Sequence, residues 1–480
     1  MPEPKTHLLS KDDIHHIHET SLRILREIGI VIHHAEVLQR LADAGATVDL
    51  KKKRARFPEE MVIKGLDSAP KQYTLYGRNS DKVARLGQGA MNLISSPGQF
   101  SWFDPQTNER RRPCLADVRV SAKVGDALPN VTIVGALGVP DDIPEAIRDV
   151  IQSLELLKGT QKPSRCWPIT RQSSRYVLEM YAAVAGGKQA LRERPMVEIF
   201  LEPISPLALP ETGLEVMLEY LEYGQPVCIG PMSMVTGTGP ATIAGTLAQE
   251  NAEILAGIVT VQTLMPGTPI TYGGIPHIMD PRTSICSFGS PEQGLMAVAM
   301  SEIGHSYGFP VYINVNLTDA KTLDVQAGME KMGSFILGAS AGADLFGHAG
   351  ILGADHGASL LWLVIDDEAM EYARRVVRGF DINEDTLAYS VIEEIGPTGM
   401  YLTHPHTLKY LRKELWAPRP PWTRDTYESW ESKGKRNMAD RALDRLNTIL
   451  ANHHPEPIEP KLELELNRIA NIAERELVHT

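Results

Sequence analysis

At 480 residues and 52.9 kDa the chain is too long for one small module and has room for roughly two to four domains, or for one large barrel with additions. Hydrophobic residues at 43% and charged residues at 22% are the balance of an ordinary globular protein with a large core. The 48 Lys and Arg against 60 Asp and Glu leave a net charge of −12, which argues against a nucleic-acid binder, whose phosphate contacts need a basic face.

Cys114, Cys166, Cys228 and Cys286 lie far apart, with neither a CxxC nor a Cys/His cluster at zinc spacing. A disulfide framework and a bound metal are therefore not expected. The first residues, Met1-Pro2-Glu3-Pro4-Lys5, lack the apolar core of a signal peptide, and no apolar run reaches membrane-spanning length. The expectation is a cytoplasmic chain with reduced thiols and no membrane partner.

In chain order, Ser10 and Asp13 form a capping-box-like start. Ile14, Ile17, Ser21, Ile24, Leu25 and Ile28 follow at helical spacing until Gly29 stops the helix. A second helix is predicted over about Ala35 to Ala44. Tyr73–Tyr76 and Val83–Leu86 flank Arg78-Asn79-Ser80-Asp81 as a hairpin. From about residue 90 the rhythm changes to short apolar runs alternating with amphipathic helices. Strands are predicted to begin near Asn92, Val131, Arg165, Val197, Val227, Ile270, Val311 and Asp344, spaced 30 to 43 residues apart. Helices are expected at Leu214–Tyr223, Ala241–Val261, Glu292–Tyr307 and Val325–Ala341, among others.

Eight such units in about 290 residues make a (β/α)8 TIM barrel. The rival, an open doubly wound sheet, would want a glycine fingerprint after its first strand, and Gly135-Ala136-Leu137-Gly138 lacks that spacing. The expected division is a small N-terminal α/β region over 1–90, the barrel over 91–380, and a helical C-terminal extension over 381–480. Arg441–Leu450 and Leu462–Leu477 in that extension carry apolar stripes that pack on the barrel or on a second subunit, and a homo-oligomer is expected on that ground.

In a barrel the chemistry sits at the C-terminal strand ends, which ranks residues by position alone. Gln99, Phe100 and Trp102 follow the first strand, Trp167 the third and Glu202 the fourth. Tyr272 lies in the sixth strand, with His277 after it. Asn314, Asn316 and Asp319 belong to the seventh, and His348, Gly350, Asp355 and His356 to the eighth. A lone histidine is more often a satisfied core or surface residue than a catalyst, which is the reading for His15, His16, His18, His404 and His406. His348 and His356 stand apart by falling in a Gly-rich loop at a strand end. Glu202 fits a general base, a carboxylate facing a cation, or half of an ion pair. Any single aromatic is by default core. No P-loop, H-E-x-x-H, G-x-S-x-G or EF-hand loop occurs.

Five segments carry a family resemblance. They are Ser21-Leu22-Arg23-Ile24-Leu25-Arg26-Glu27-Ile28-Gly29; the run from Thr318-Asp319-Ala320-Lys321 through Gln326-Ala327-Gly328-Met329-Glu330; Gly347-His348-Ala349-Gly350; Gly353-Ala354-Asp355-His356-Gly357 on to Val364-Ile365-Asp366-Asp367-Glu368; and His404-Pro405-His406-Thr407-Leu408. Together they resemble the trimethylamine methyltransferase family over nearly the whole chain. The resemblance implies a TIM-barrel enzyme of methylamine metabolism that passes a methyl group from a methylated amine to the cobalt of a separate corrinoid (cobalamin) protein. Founding members carry pyrrolysine, whereas this chain uses only standard residues. Its Gly-His-Ala-Gly and Asp-His-Gly pattern is closer to the branch without pyrrolysine, which includes glycine betaine methyltransferases.

Displacement at a methyl carbon needs a good leaving amine. A neutral tertiary amine must first be made cationic, whereas a quaternary ammonium is cationic already and leaves as a neutral amine. A quaternary amine, glycine betaine first, is therefore the expected substrate. Such a cation is held by aromatic faces and carboxylates. Phe100, Trp102, Trp167 and Tyr272 are the cage candidates, with Glu202 or Asp319 supplying negative charge. Gln99, Asn314, Asn316 or His277 would donate to a substrate carboxylate. His348, Gly350, Asp355 and His356 are assigned to the corrinoid side, and His348, Glu202 and Asp319 are the catalytic candidates. Other expectations are a transferase for another betaine, carnitine or a methylated amine, a TIM-barrel lyase or aldolase using Lys321 or a metal, and a non-catalytic osmolyte binder.

Overall fold

The computed structural model describes residues 5–478. Its centre is a barrel of eight parallel strands: β1 (Asn92–Ser95), β2 (Val131–Gly135), β3 (Ser164–Arg165), β4 (Ile199–Leu201), β5 (Val227–Ile229), β6 (Ile270–Gly274), β7 (Val311–Asn314) and β8 (Leu345–Ala349). Every predicted strand is present. The ladder runs β3-β2-β1-β8-β7-β6-β5-β4, so β8 closes on β1 as a TIM barrel requires. Among the described residues no ladder joins β3 to β4. That seam is held instead by a buried ion pair, in which the Arg165 Nη1 donates to Glu198 Oε2 at 3.0 Å.

Strand alternation sets what faces inward. Ile94, Ile133, Cys228, Tyr312 and Leu345 share an inner cluster with Tyr73, Leu75, Ala84 and Leu86. Those last four belong to the predicted hairpin, Tyr73–Tyr76 and Val83–Leu86, which plugs the barrel floor. The Tyr73 hydroxyl donates to Glu198 and lies against the Thr271 hydroxyl. The seam and the floor therefore share one buried polar network.

The outer ring includes Ile243–Leu264, a helix buried nearly all round. Barrel strands pack on one side of it, and Lys11–Arg23, Ala35–Asp43 and Glu59–Ser68 on the other. A helix covered on every side needs no polar face. The Lys11–Arg23 helix starts on the expected Ser10–Asp13 capping box and ends, through a wide final turn, at Gly29 with φ +78°. The C-terminal helices Met438–Asn452 and Pro460–Leu477 both lie on the barrel's own helices, the first against Leu115–Ala127 and Leu360–Val377, the second against Arg148–Gly159 and Arg171–Ala185. Their stripes are thus covered within the chain. No helix among the described residues is long and apolar enough to cross a membrane, and the four cysteines are unpaired.

Arg165→Met leaves Glu198 without its cation in a site sealed from water. Removing one partner of a buried pair costs about 3–5 kcal/mol, so the urea midpoint should fall sharply. A loss below about 1 kcal/mol would mean that the seam does not depend on the pair.

Candidate functional site

Above the floor, aromatic groups come from just after β3 and from the inner positions of β4, β7 and β8. Trp167 meets Phe200 edge-on, with ring centroids 5.9 Å apart, and meets His348 at the same distance and nearly perpendicular. Phe200 meets Tyr312 at 5.7 Å. The Tyr312 hydroxyl lies 3.1 Å from His348 Nε2. Gly347 makes this packing possible, because a Cβ there would come within 2.5 Å of the Tyr312 oxygen. Arg165 lies under the layer, its guanidinium carbon 5.6 Å from the Phe200 ring.

A cavity of 500 Å³ opens at the β3–β4 seam, where Trp167, Phe200, Glu202, Ser205, Met232 and Thr238 contribute to its walls. No lysine, arginine or histidine belongs to this lining. By surface area the Glu202 side chain is open to solvent, yet the walls crowd its carboxyl, and burial raises its pKa. Asp355 sits close enough to feel that charge. Burial and Glu202 push Asp355 up to about 7 against the lowering effect of a hydrogen bond donated by Gln99 Nε2 at 2.7 Å. His348 is pulled down to about 3 by burial and by Arg165, so the ring is neutral throughout the physiological range, and its Nδ1 has no partner.

Buried carboxylates on the outer helices fix these loops. Glu250 accepts from the N–H groups of Ser233 (3.0 Å) and Ile275 (3.1 Å), after β5 and β6. Glu253 accepts from the Ser205 hydroxyl (2.6 Å) and the Leu207 N–H (2.9 Å), after β4. Asp366 accepts from the Gly350 N–H at 2.8 Å, after β8. A loop N–H bonded to a buried acceptor stays where it is placed.

The structure brings His348, Glu202, Trp167, Gln99 and Asp355 together, and it separates the rest. Tyr272 points outward, because its strand neighbours Thr271 and Gly273 take the inner positions; its hydroxyl donates to Asn251 on the outer helix at 2.9 Å. Trp102, 1% exposed, is paired through its strand with Ala358 and lies 5.8 Å from the Arg111 guanidinium, away from the cavity. Phe100 stands at the rim, 63% exposed. His277 is buried against Phe288, 4.3 Å between centroids, and held at about 4 chiefly by burial. Asp319 is committed to the Ser287 hydroxyl (2.5 Å) and the Phe288 N–H (2.7 Å). Asn316 has φ +65° and turns toward the Lys331–Asp366 pair. Asn314 follows Tyr312 inward, its Oδ1 unpartnered. Gly350 makes the left-handed turn after β8, and His356 is exposed. Lys321 is exposed, its ammonium on the Asp319 carbonyl at 2.6 Å. No cluster of side chains that could hold a metal ion occurs among the described residues.

Phe200, Tyr312 and Arg165 are absent from the strand-end candidates. The available signal was period two: Phe200 lies two residues before Glu202, Tyr312 two before Asn314, and Arg165 two before Trp167, each on the same inner face.

Gln99→Leu removes the hydrogen bond that lowers Asp355. Its titration, followed by carboxyl carbon NMR, should move above about 7; an unmoved titration would mean that Gln99 does not govern this carboxyl.

The trimethylamine methyltransferase family profile matches residues 1–477. The glycine betaine methyltransferase of Desulfitobacterium hafniense (strain Y51) is 33% identical, covering 98% of each chain. The trimethylamine methyltransferase of D. hafniense (strain DSM 10664 / DCB-2) is 30% identical over 97% of this chain and 94% of the relative. The crystal structure of the Methanosarcina barkeri monomethylamine methyltransferase superposes with a TM-score of 0.52 at 12% identity, covering 99% of this chain and 88% of that one; that likeness concerns the fold.

Proposed function

Because the chain belongs to the trimethylamine methyltransferase family, we propose that this methyltransferase takes a methyl group from a quaternary amine, glycine betaine first, and delivers it to the cobalt of a corrinoid carried by a separate protein. The observation that carries the reading is the charge pattern of the cavity: aromatic walls and a carboxylate, a second carboxylate within its field, and no basic side chain in the lining. That is an environment for a permanent cation.

Trp167 and Phe200 offer ring faces to the methylated nitrogen, and Glu202 and Asp355 offset its charge. Thr238 accepts from the Met234 N–H at 2.9 Å, which leaves its own proton free for a substrate carboxylate. The departing amine is neutral and needs no proton, so a neutral His348 suits a site that positions rather than protonates. His348 and the turn around Asp355 stand at the barrel mouth and would meet the corrinoid, which supplies the nucleophilic metal centre when bound. The residues pinned by Glu250 and Glu253 hold the methyl group in line and exclude water.

Two outcomes follow. Trp167→Ala should weaken glycine betaine binding by about 0.5–2 kcal/mol, seen by calorimetry on the folded variant; unchanged affinity would remove Trp167 from the cage. A cation favours ionised Asp355, so affinity should rise roughly five- to tenfold between pH 6 and pH 8 and level off above, as the group titrates through about 7; a flat profile would take Asp355 out of the site. For the reaction itself, the absorbance of Co(I) cobalamin mixed with the protein should change on adding glycine betaine and not on adding trimethylamine. No change with any quaternary amine, even with a partner corrinoid protein present, would refute the reading.

A further inference from the structure

Residues 380–415 form an arm that the chain itself leaves uncovered. They contain three helices, Glu384–Leu387, Tyr389–Ile395 and Pro405–Glu414, and none of the three buries a residue. No residue of this segment joins a hydrophobic cluster of the described chain. Yet eleven of the twenty-five large apolar side chains exposed among the described residues fall here, each with 45–73% of its surface in water. Phe380, Tyr389, Met400, Leu402, Leu408 and Leu415 are among them. Part of the arm's charge is spent within it: Lys409 pairs with Asp385, and Lys413 with Asp381 at 2.9 Å, while Glu384, Glu393 and Arg412 stay exposed. What the arm offers outward is therefore largely apolar, with a few charges among the apolar side chains.

Its place in the fold selects the occupant. The Leu360–Val377 helix begins at Ser359, beside the mouth, and runs back along the barrel for 18 residues, about 27 Å at 1.5 Å per residue. At its far end Arg374 donates to the Met91 carbonyl at 2.7 Å, just before β1, and Arg375 holds the Glu414 carbonyl at 2.6 and 2.9 Å. The arm thus hangs from the floor, at the opposite end from the cavity. A methyl acceptor has to reach the mouth and cannot cover a surface on the floor side.

We propose that this arm is the interface with a second copy of the chain, the arms of two protomers meeting about a two-fold axis. Stable interfaces need roughly 800 Å² from each partner, and a lone exposed apolar patch on a monomer reaches only about 300–600 Å². Eleven half-exposed large side chains at roughly 100 Å² apiece reach the first figure and exceed the second. An isologous pairing uses the same patch twice, so apolar meets apolar without any complementary surface elsewhere.

The test is the mass of the full-length protein by sedimentation velocity at micromolar concentration. The wild type should run as a dimer or a higher even assembly, and the double variant Leu402→Asp/Leu408→Asp at half the mass or less, with its circular dichroism and its Co(I)-cobalamin turnover retained. A monomeric wild type overturns the proposal, and so does a variant that folds and keeps its wild-type mass. Should the variant fail to fold, hydrogen exchange on the wild type decides. Amides of 380–415 should be protected at micromolar concentration and lose that protection on dilution to nanomolar. Protection indifferent to dilution, or appearing only when a corrinoid protein is added, sinks the idea. The mass is read without any substrate, so its failure is separate from a failure of the proposed reaction.

Discussion

The barrel is closed at seven of its eight strand junctions by backbone ladders and at the eighth by charge. At the β3–β4 seam the Arg165–Glu198 pair stands where ladder bonds would be, and the consequences spread in both directions. Downward, Glu198 takes the Tyr73 hydroxyl and so ties the N-terminal hairpin into the floor. Upward, a cavity opens above the unladdered seam, walled by Trp167 and Pro168 just after β3, by Ile199 and Phe200 of β4, and by the segments that follow β4 and β5. Sideways, the positive charge of Arg165 lies under the aromatic layer and helps to keep His348 neutral.

The mouth is assembled by a second device. Loops rarely hold shape without buried partners for their polar groups, and here those partners are carboxylates projecting from the outer helices. Glu250 and Glu253, one turn apart on one helix, hold the loops after β4, β5 and β6. Glu330 holds the loop after β7 through the Thr318 hydroxyl and the Asp319 N–H. Asp366 holds the turn after β8 and neutralises Lys331, 3.1 Å away. Burial raises Glu250, Glu253 and Asp366. None of these groups lines the cavity, and they act on the mouth through the loops they hold. Perturbed titration alone would have nominated them as catalysts, and their committed hydrogen bonds say otherwise.

This explains what could be read from the chain beforehand. Strands of a parallel barrel are short apolar runs covered on both faces, so all eight were legible, as were the hairpin and the Ser10 cap. The site was legible only where position along a strand decides the matter: Trp167, Glu202, Gln99, Asp355 and His348 lie at the mouth because strand ends do. Direction was the harder quantity. Tyr272 and Thr271 are equally plausible inner residues until the register of β6 is known, and a shift by one residue exchanges them. Trp102 follows β1 closely, yet its strand pairs with Ala358 and carries it behind the wall. Phe200 and Tyr312 lie mid-strand, where a strand-end rule does not look. The tail helices were legible as amphipathic, but amphipathicity does not say what covers a stripe. The covering proved to be the barrel, and the uncovered surface lies in 380–415, where apolar residues are scattered without a clear period.

The electrostatics of the cavity bear on which amines it can use. A tertiary amine requires a group that gives it positive charge before its methyl can leave. His348 is held neutral at physiological pH, and no lysine or arginine reaches the cavity wall. Asp355, half-protonated near neutrality, is the remaining acid within reach, and protonating an amine with it would leave the two carboxylates that the resulting cation needs. Yet the same two carboxylates stabilise a bound cation whether or not it carries a proton, so what sets amines apart is the cost of the first charge. A quaternary nitrogen brings that charge with it and meets aromatic faces that need no N–H to grip. On the proposed reading the site therefore favours substrates whose charge is permanent, and Asp355 would tune that binding with pH.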